Sequence, residues 1–170
     1  MALIVLKMRT GSLGWVMGEC GLLGYETLIS VNHLSFGIDV KSVFAEDGRR
    51  TIHLPALTRF SLQRKVDLAT ASITKCALAA KVSPFPWTLY FLRPLGTNHL
   101  LQVSQICDLE LTLDRPLVTD QNISFSGDDM SETLEITASA VEWTYHTHDS
   151  AGWPMGKVAY KFDIQQGWVE

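Results

Sequence analysis

Apolar and polar residues alternate with a period of two along most of the 170-residue chain, which is the pattern of strands buried on one face. The opening MALIVLKMRT sets Leu3 and Val5 against Ile4 and Leu6 ahead of Lys7, and predicts a first strand; it has no cationic lead-in of the kind a secretory leader carries. A strand around Phe60, Leu62 and Val66 leads into the one stretch of different period, Asp67 to Lys81. There Ala69, Ile73, Cys76, Ala77 and Ala80 fall on one side of a helix, Asp67 can accept from the free amides of its first turn, and Pro84 prevents continuation. Trp87, Leu89 and Phe91 predict a further strand, and Arg93 to His99 a turn punctuated by proline and glycine. From Leu101 the odd positions Leu101, Val103, Cys107, Leu109, Leu111 and Leu113 face one way. At ~3.3 Å per residue that strand spans roughly 40 Å, so a bend or a crossing between sheets is expected within it. Val158, Tyr160, Phe162, Ile164 and Trp168 share a parity in the last strand.

Two runs change parity midway. In ETLEITASAVEWTYH the apolar positions Leu134, Ile136 and Ala138 give way to Val141, Trp143 and Tyr145, and in ISVNHLSFGIDV Ile29 and Val31 give way to Leu34, Phe36, Ile38 and Val40. One extra residue near Ser139-Ala140, and another at Asn32-His33, would make β-bulges that bend each strand and re-aim its side chains. The alternative is that both faces are covered past the switch, one by the core and one by another subunit. Both readings stand at this point, and both suit a curled or closed β structure with one helix outside it.

Composition narrows the class. With 46% hydrophobic and 19% charged residues the chain is a globular protein, and its length suits a single domain, 1–170, able to bury on the order of 70% of its unfolded surface. The net charge of −4 and the isolated basic pairs Arg49-Arg50 and Arg64-Lys65 offer no broad positive face to nucleic acid. No apolar run approaches the ~20 residues of a membrane-spanning helix. Cys20, Cys76 and Cys107 are odd in number and far apart, which favours reduced thiols packed as small hydrophobes in a cytoplasm.

Catalytic apparatus is sparse. Neither a G-x-S-x-G elbow nor a phosphate-binding G-x-x-x-x-G-K-[ST] loop occurs. The glycines Gly11, Gly14, Gly18, Gly21 and Gly24 precede no helix start and read as a loop, and Asp128-Asp129 as a solvated hairpin. His146-Thr147-His148-Asp149 is the best metal candidate, because residues two apart on a strand point to one side and imidazole suits zinc or copper. It lacks distant ligands of metal spacing and reads as an exposed polar strand end, so no metal, no cofactor and no catalytic residue is assigned. The sequon Asn122-Ile123-Ser124 reads as a chance occurrence, and Trp143, Tyr145, Trp153, Tyr160 and Trp168 read as barrel core rather than as a ligand platform.

Several segments together resemble the hemolysin-coregulated protein family, which builds the tube of the bacterial type VI secretion system. ISVNHLSFGIDV (Ile29 to Val40) is similar to the family's second strand, with Phe36 and Gly37 in its aromatic and glycine places. QRKVDLATASITKCALAAKV (Gln63 to Val82) resembles the family's entry from strand to helix, with Lys65, Asp67 and the alanine-rich helix in place. ETLEITASAVEWTYH and GKVAYKFDI (Gly156 to Ile164) resemble its C-terminal strands, including Glu142-Trp143-Thr144-Tyr145. The helix entry departs from the family in having Thr70-Ala71 where many members carry Ser-Pro, and Arg93 to Leu101 is broken by proline.

The resemblance implies a mainly β fold, a curled two-sheet antiparallel β-barrel with one flanking α-helix at about 67–81. It implies a non-enzymatic subunit whose homohexameric rings stack into a hollow inner tube, expelled by a contractile sheath together with spike proteins and able to carry small effectors in its lumen. Such a subunit resides in the bacterial cytoplasm before firing and is secreted without a signal peptide, with no membrane insertion and no nucleic-acid partner. The resemblance further implies that the connection after the second strand reaches the adjacent ring. In this chain that loop comprises Val40, Lys41, Ser42, Val43, Phe44, Ala45, Glu46 and Asp47 and runs on to Arg50, with Val43 and Phe44 as an apolar tip. Phe44 folded back onto its own barrel is the equal alternative. A small-ligand-binding β-barrel, a phage-type tail tube protein and a metal-dependent enzyme using His146 and His148 are the competing functions.

Overall fold

The computed structural model describes residues 3–11, 14–44, 48–97, 103–164 and 166–169. In chain order, β1 (Leu3–Thr10) is followed by the short β2 (Gly14–Val16), a loop, and the fragments β3 (Ile29–Val31) and β4 (His33–Ser35). An arm follows, made of β5 (Ile38–Asp39), β6 (Ser42–Phe44), β7 (Arg50–Ile52) and β8 (Ala56–Leu57). Then come β9 (Phe60–Lys65), the helix α1 (Ala69–Ala79) and the long strands β10 (Trp87–Thr97), β11 (Val103–Asp114), β12 (Leu117–Ser126), β13 (Asp129–Thr137), β14 (Ala140–His148) and β15 (Pro154–Asp163), with β16 (Trp168–Val169) last.

Two antiparallel sheets share one core. The larger has the order β16-β15-β14-β11-β10-β1-β2, with β3 also pairing with β1, and the smaller has the order β12-β13-β9-β4. Among the described residues neither sheet closes on itself, so the expected barrel is two open sheets around one interior. Leu6, Leu89, Leu111, Leu113 and Val141 of the larger sheet meet Phe60, Leu62, Leu134 and Ile136 of the smaller, and α1 contributes Ala69 and Ile73. Trp87 is the largest buried side chain, and its indole Nε1–H donates to the Arg9 carbonyl at 2.8 Å, which satisfies the one polar atom its burial would strand.

Both parity switches are crossings between sheets, and not bulges inside one strand. β13 ends at Thr137 in the smaller sheet and β14 begins at Ala140 in the larger. The corner is fixed by the Ser139 N–H donating to the Asp114 carbonyl at 2.9 Å and by the Ile164 N–H donating to Ser139 at 3.0 Å. Likewise β3 pairs with β1 and β4 pairs with β9, and the Asn32 N–H between them donates to Gln63 at 2.8 Å. A strand that leaves one sheet for the facing one must present its other side to keep the same core covered. That requirement is the parity change.

Three local expectations are corrected. Arg93 to His99 is not simply a turn: β10 continues to Thr97, paired with β11 through Thr97↔Val103, and residues 98–102 lie outside the described part. Pro94 stands beyond the last described β1 pair, Leu3↔Leu92, and so outside the described β1–β10 ladder in which its missing N–H would be needed. The third inward residue of β9 is Arg64, fully buried, rather than Val66. On α1, Ala69 and Ile73 are buried and Cys76 and Ala77 pack on the core. Ala80 instead forms the exposed left-handed C-cap. Asp67 does cap the helix, accepting from the Ala69 N–H at 2.7 Å.

Candidate assembly surfaces and the outer-face cluster

The segment from Gly37 to Thr58 projects as an arm. Its base is closed by the Thr58 N–H donating to Gly37 at 2.8 Å and by β5 pairing with β8, and its outer part by β6 pairing with β7. These four strands pair with no other strand among the described residues. Ile38, Val40, Val43, Ile52 and Leu54 are all exposed, and Phe44 is 67% exposed. The Phe44 ring lies 5.7 Å from the Arg50 guanidinium across the hairpin, and with two thirds of its surface open it is not buried against the body. Of the residues assigned to ring stacking, Val40, Lys41, Ser42, Val43 and Phe44 stand on this arm, while Ala45, Glu46 and Asp47 lie outside the described residues. Such a concentration of exposed apolar side chains on strands that, among the described residues, pair only with one another marks a surface awaiting a partner.

A second uncovered surface lies at the far end of the larger sheet. Trp143 packs against the core and stands 6.5 Å from Phe36. Opposite it in register is Tyr160, and Tyr145 is opposite Val158. These three continue the core-facing side of the sheet past its cover: Tyr145 and Val158 are each 48% exposed and Tyr160 is 52% exposed. The expectation that the late aromatics form barrel core therefore holds for Trp143 and fails for Tyr145, Tyr160 and the exposed Trp153. Among the described residues β15 pairs with β16 through Phe162 and Asp163 alone, which leaves residues 154–161 as an edge there. A bare apolar edge strand invites pairing with another chain.

The outer face of the larger sheet is covered by the loop after β2, whose Cys20, Leu22, Tyr25 and Leu28 pack with Val5, Tyr90, Leu92 and Cys107. Gly18 anchors this loop: its N–H donates to Thr27 at 2.7 Å, and a Cβ there would fall 2.5 Å from the Leu28 carbonyl oxygen. Cys107 reaches this face because β11 carries a bulge. Phe91 pairs with Leu109 but the next residue, Leu92, pairs with Cys107, so Asp108 is the extra residue. The single-parity reading of that strand therefore holds from Leu109 onward and reverses at Cys107. Burial, with Glu110 nearby, pushes the Cys107 thiol up to about 11. Burial likewise raises Tyr25 and Tyr90, while hydrogen bonding to Arg93 lowers Asp108. Asp149, the carboxylate of the sequence-level metal candidate, is committed to its turn, accepting from the Ala151 and Trp153 N–H groups at 2.9 and 2.8 Å.

Trp87, Leu62, Leu111 and Leu134 pack in the space between the sheets. A cavity of about 310 Å³ sits at the rim of this core beside the C-terminal end of α1, lined by Cys76, Ala79, Val82, Pro84, Trp87 and Val118 among others. No described helix is long and apolar enough to cross a membrane.

The fold is that of the Hcp proteins of type VI secretion. A structure described as a type six secretion system protein superposes with a TM-score of 0.77 over 100% of both chains at 14% identity. A mutant form of Hcp1 from E. coli EAEC 042 pathovar gives 0.75 at 12% identity, over 95% of this chain and 98% of that one. Hcp1 from Salmonella typhimurium gives 0.70 at 17% identity, over 99% of each. No protein-family model and no curated protein matches the sequence.

Proposed function

We propose that this chain is a structural, non-enzymatic subunit of a type VI secretion system, forming six-membered rings that stack into the hollow inner tube. The observation that carries the reading is the pair of uncovered apolar surfaces on an Hcp fold: the arm bearing Phe44 and the edge strand bearing Val158 and Tyr160. A closed ring needs a heterologous contact in which one patch meets a different patch on the next copy, and the edge of β15 is such a patch. A tube needs a further contact along its axis, which the arm residues Val40 to Asp47 supply. In this account the subunit resides in the bacterial cytoplasm before firing and leaves within the expelled tube. Sheath and spike proteins are its partners outside the ring, and small effectors its cargo inside.

Electron microscopy of the purified protein tests the reading. Annular particles with an open centre support it, and the Phe44→Asp variant should keep the rings but lose end-to-end stacking.

A further inference from the structure

The bulge at Asp108 has a chemical result on the outer face. Positions 107 and 110 differ by an odd number and would point to opposite sides of a regular strand. With Asp108 inserted, Cys107 turns to the side of Glu110 and Tyr90, which pair across β10 and β11. On the neighbouring strand Thr144 faces Glu110 in register, so His146, two residues on, joins the same side. The Cys107 Sγ, a Glu110 carboxylate oxygen and a His146 ring nitrogen all lie within 4.8 Å of one another. His146 Nε2 stands 3.1 Å from Glu110 Oε1.

A second observation comes from His148, next on that face. Its side chain is only 10% exposed, and its Nδ1 is buried with no hydrogen-bond partner among the described residues, 3.6 Å from Asp108 Oδ1. Its ring lies 6.5 Å from that of His146. A buried imidazole nitrogen without a partner is costly, and it stands at the rim of a group of three convergent ligand atoms.

We propose that Cys107, Glu110 and His146 form a binding site for a borderline divalent transition-metal ion, zinc foremost. Sulfur, imidazole nitrogen and carboxylate oxygen together suit zinc rather than calcium or magnesium, which take oxygen. Three protein ligands leave a fourth position to water. Binding converts the Cys107 S–H to a metal-bound thiolate, and the proton passes to solvent. The ion ties β11 to β14 across the bulge, and His148 and Asp108 border it. Residues two apart, His146 and His148, are the pair that sequence spacing singles out; the partners the strand pairing brings to His146 are Cys107 and Glu110.

Cobalt(II) titration of the full chain tests this, because a cobalt–thiolate bond gives a charge-transfer absorption in the near ultraviolet that oxygen and nitrogen ligands do not. The expected result is one equivalent of cobalt bound with that band, displaced by zinc. The band should be lost in Cys107→Ser and retained in Cys20→Ser and Cys76→Ser. His146→Ala should weaken binding by more than about tenfold. Absence of the band, or its survival in Cys107→Ser, overturns the proposal. Should Cys107→Ser fail to fold, the partly exposed His146 carries the test, and unchanged affinity in His146→Ala overturns it. The outcome is independent of whether the protein forms rings.

Discussion

Arg64 and Glu132 face each other directly across β9 and β13, with guanidinium Nη1 2.7 Å from carboxylate Oε1 and both side chains fully buried. The pair sits in line with Leu62 and Leu134, so two charges occupy positions where the alternation of each strand calls for apolar residues. Asp67, at the entry of α1, bonds Nη2 of the same guanidinium, and Thr70 lies 3.4 Å from Nη1. Arg64 thereby ties the smaller sheet to the start of the helix. Glu132→Gln, which leaves that guanidinium without one of its two carboxylates, is expected to lower unfolding free energy by about 3–5 kcal/mol. Urea denaturation measures this. The double variant Arg64→Met/Glu132→Leu should be less destabilised than the sum of its single variants, because removing both charges removes the uncompensated one.

Gly18→Ala should destabilise by about 1–3 kcal/mol. The added carbon meets backbone, the Leu28 carbonyl oxygen at 2.5 Å and Ile29 Cα at 2.8 Å, and backbone cannot swing aside as a side chain can. Thermal unfolding of the variant beside Gly21→Ala, whose added carbon meets nothing within 4 Å, isolates the effect.

Phe44→Asp should leave the stability of the subunit within about 0.5 kcal/mol, since an exposed side chain outside the core is being changed. Its effect belongs to assembly. Rings in the micrographs with no stacked tubes are the expected phenotype, and tubes like those of the parent would remove the arm from the stacking contact.

Val158→Lys/Tyr160→Lys places two charges on the uncovered continuation of the core face. Burying both at a subunit contact without partners is unfavourable by several kcal/mol, so ring formation should fail while the far-ultraviolet circular dichroism of the subunit is retained. Sedimentation velocity distinguishes the two.

Much of the fold was legible because period-two alternation reports which face of a strand is buried. Leu89, Leu111, Leu113, Leu134 and Ile136 all reached the core as their parity indicated. The change of parity at Ser139-Ala140 was visible too, but its cause was not: a bulge and a crossing between sheets leave the same one-dimensional trace, and only strand pairing separates them. Arg64 was missed since a basic pair on a strand reads as solvated until the carboxylate opposite it, 68 positions along the chain, is known. Cys107 and His146 were missed as neighbours for the same reason, with the bulge at Asp108 hiding even the face on which Cys107 lies. The uncovered ends of β14 and β15 were legible only as hydrophobicity. Whether Tyr145 and Tyr160 meet the interior or another molecule depends on how far the smaller sheet extends, a three-dimensional quantity that no alternation encodes.

A ring-forming subunit buries apolar surface twice, within itself and against copies of itself. Sedimentation velocity of the unmodified protein over a wide concentration range tests it most directly. A discrete species of six times the chain mass, annular in the microscope, is the expected result; a single compact monomer at every concentration, with no annular particle, would rule out the ring.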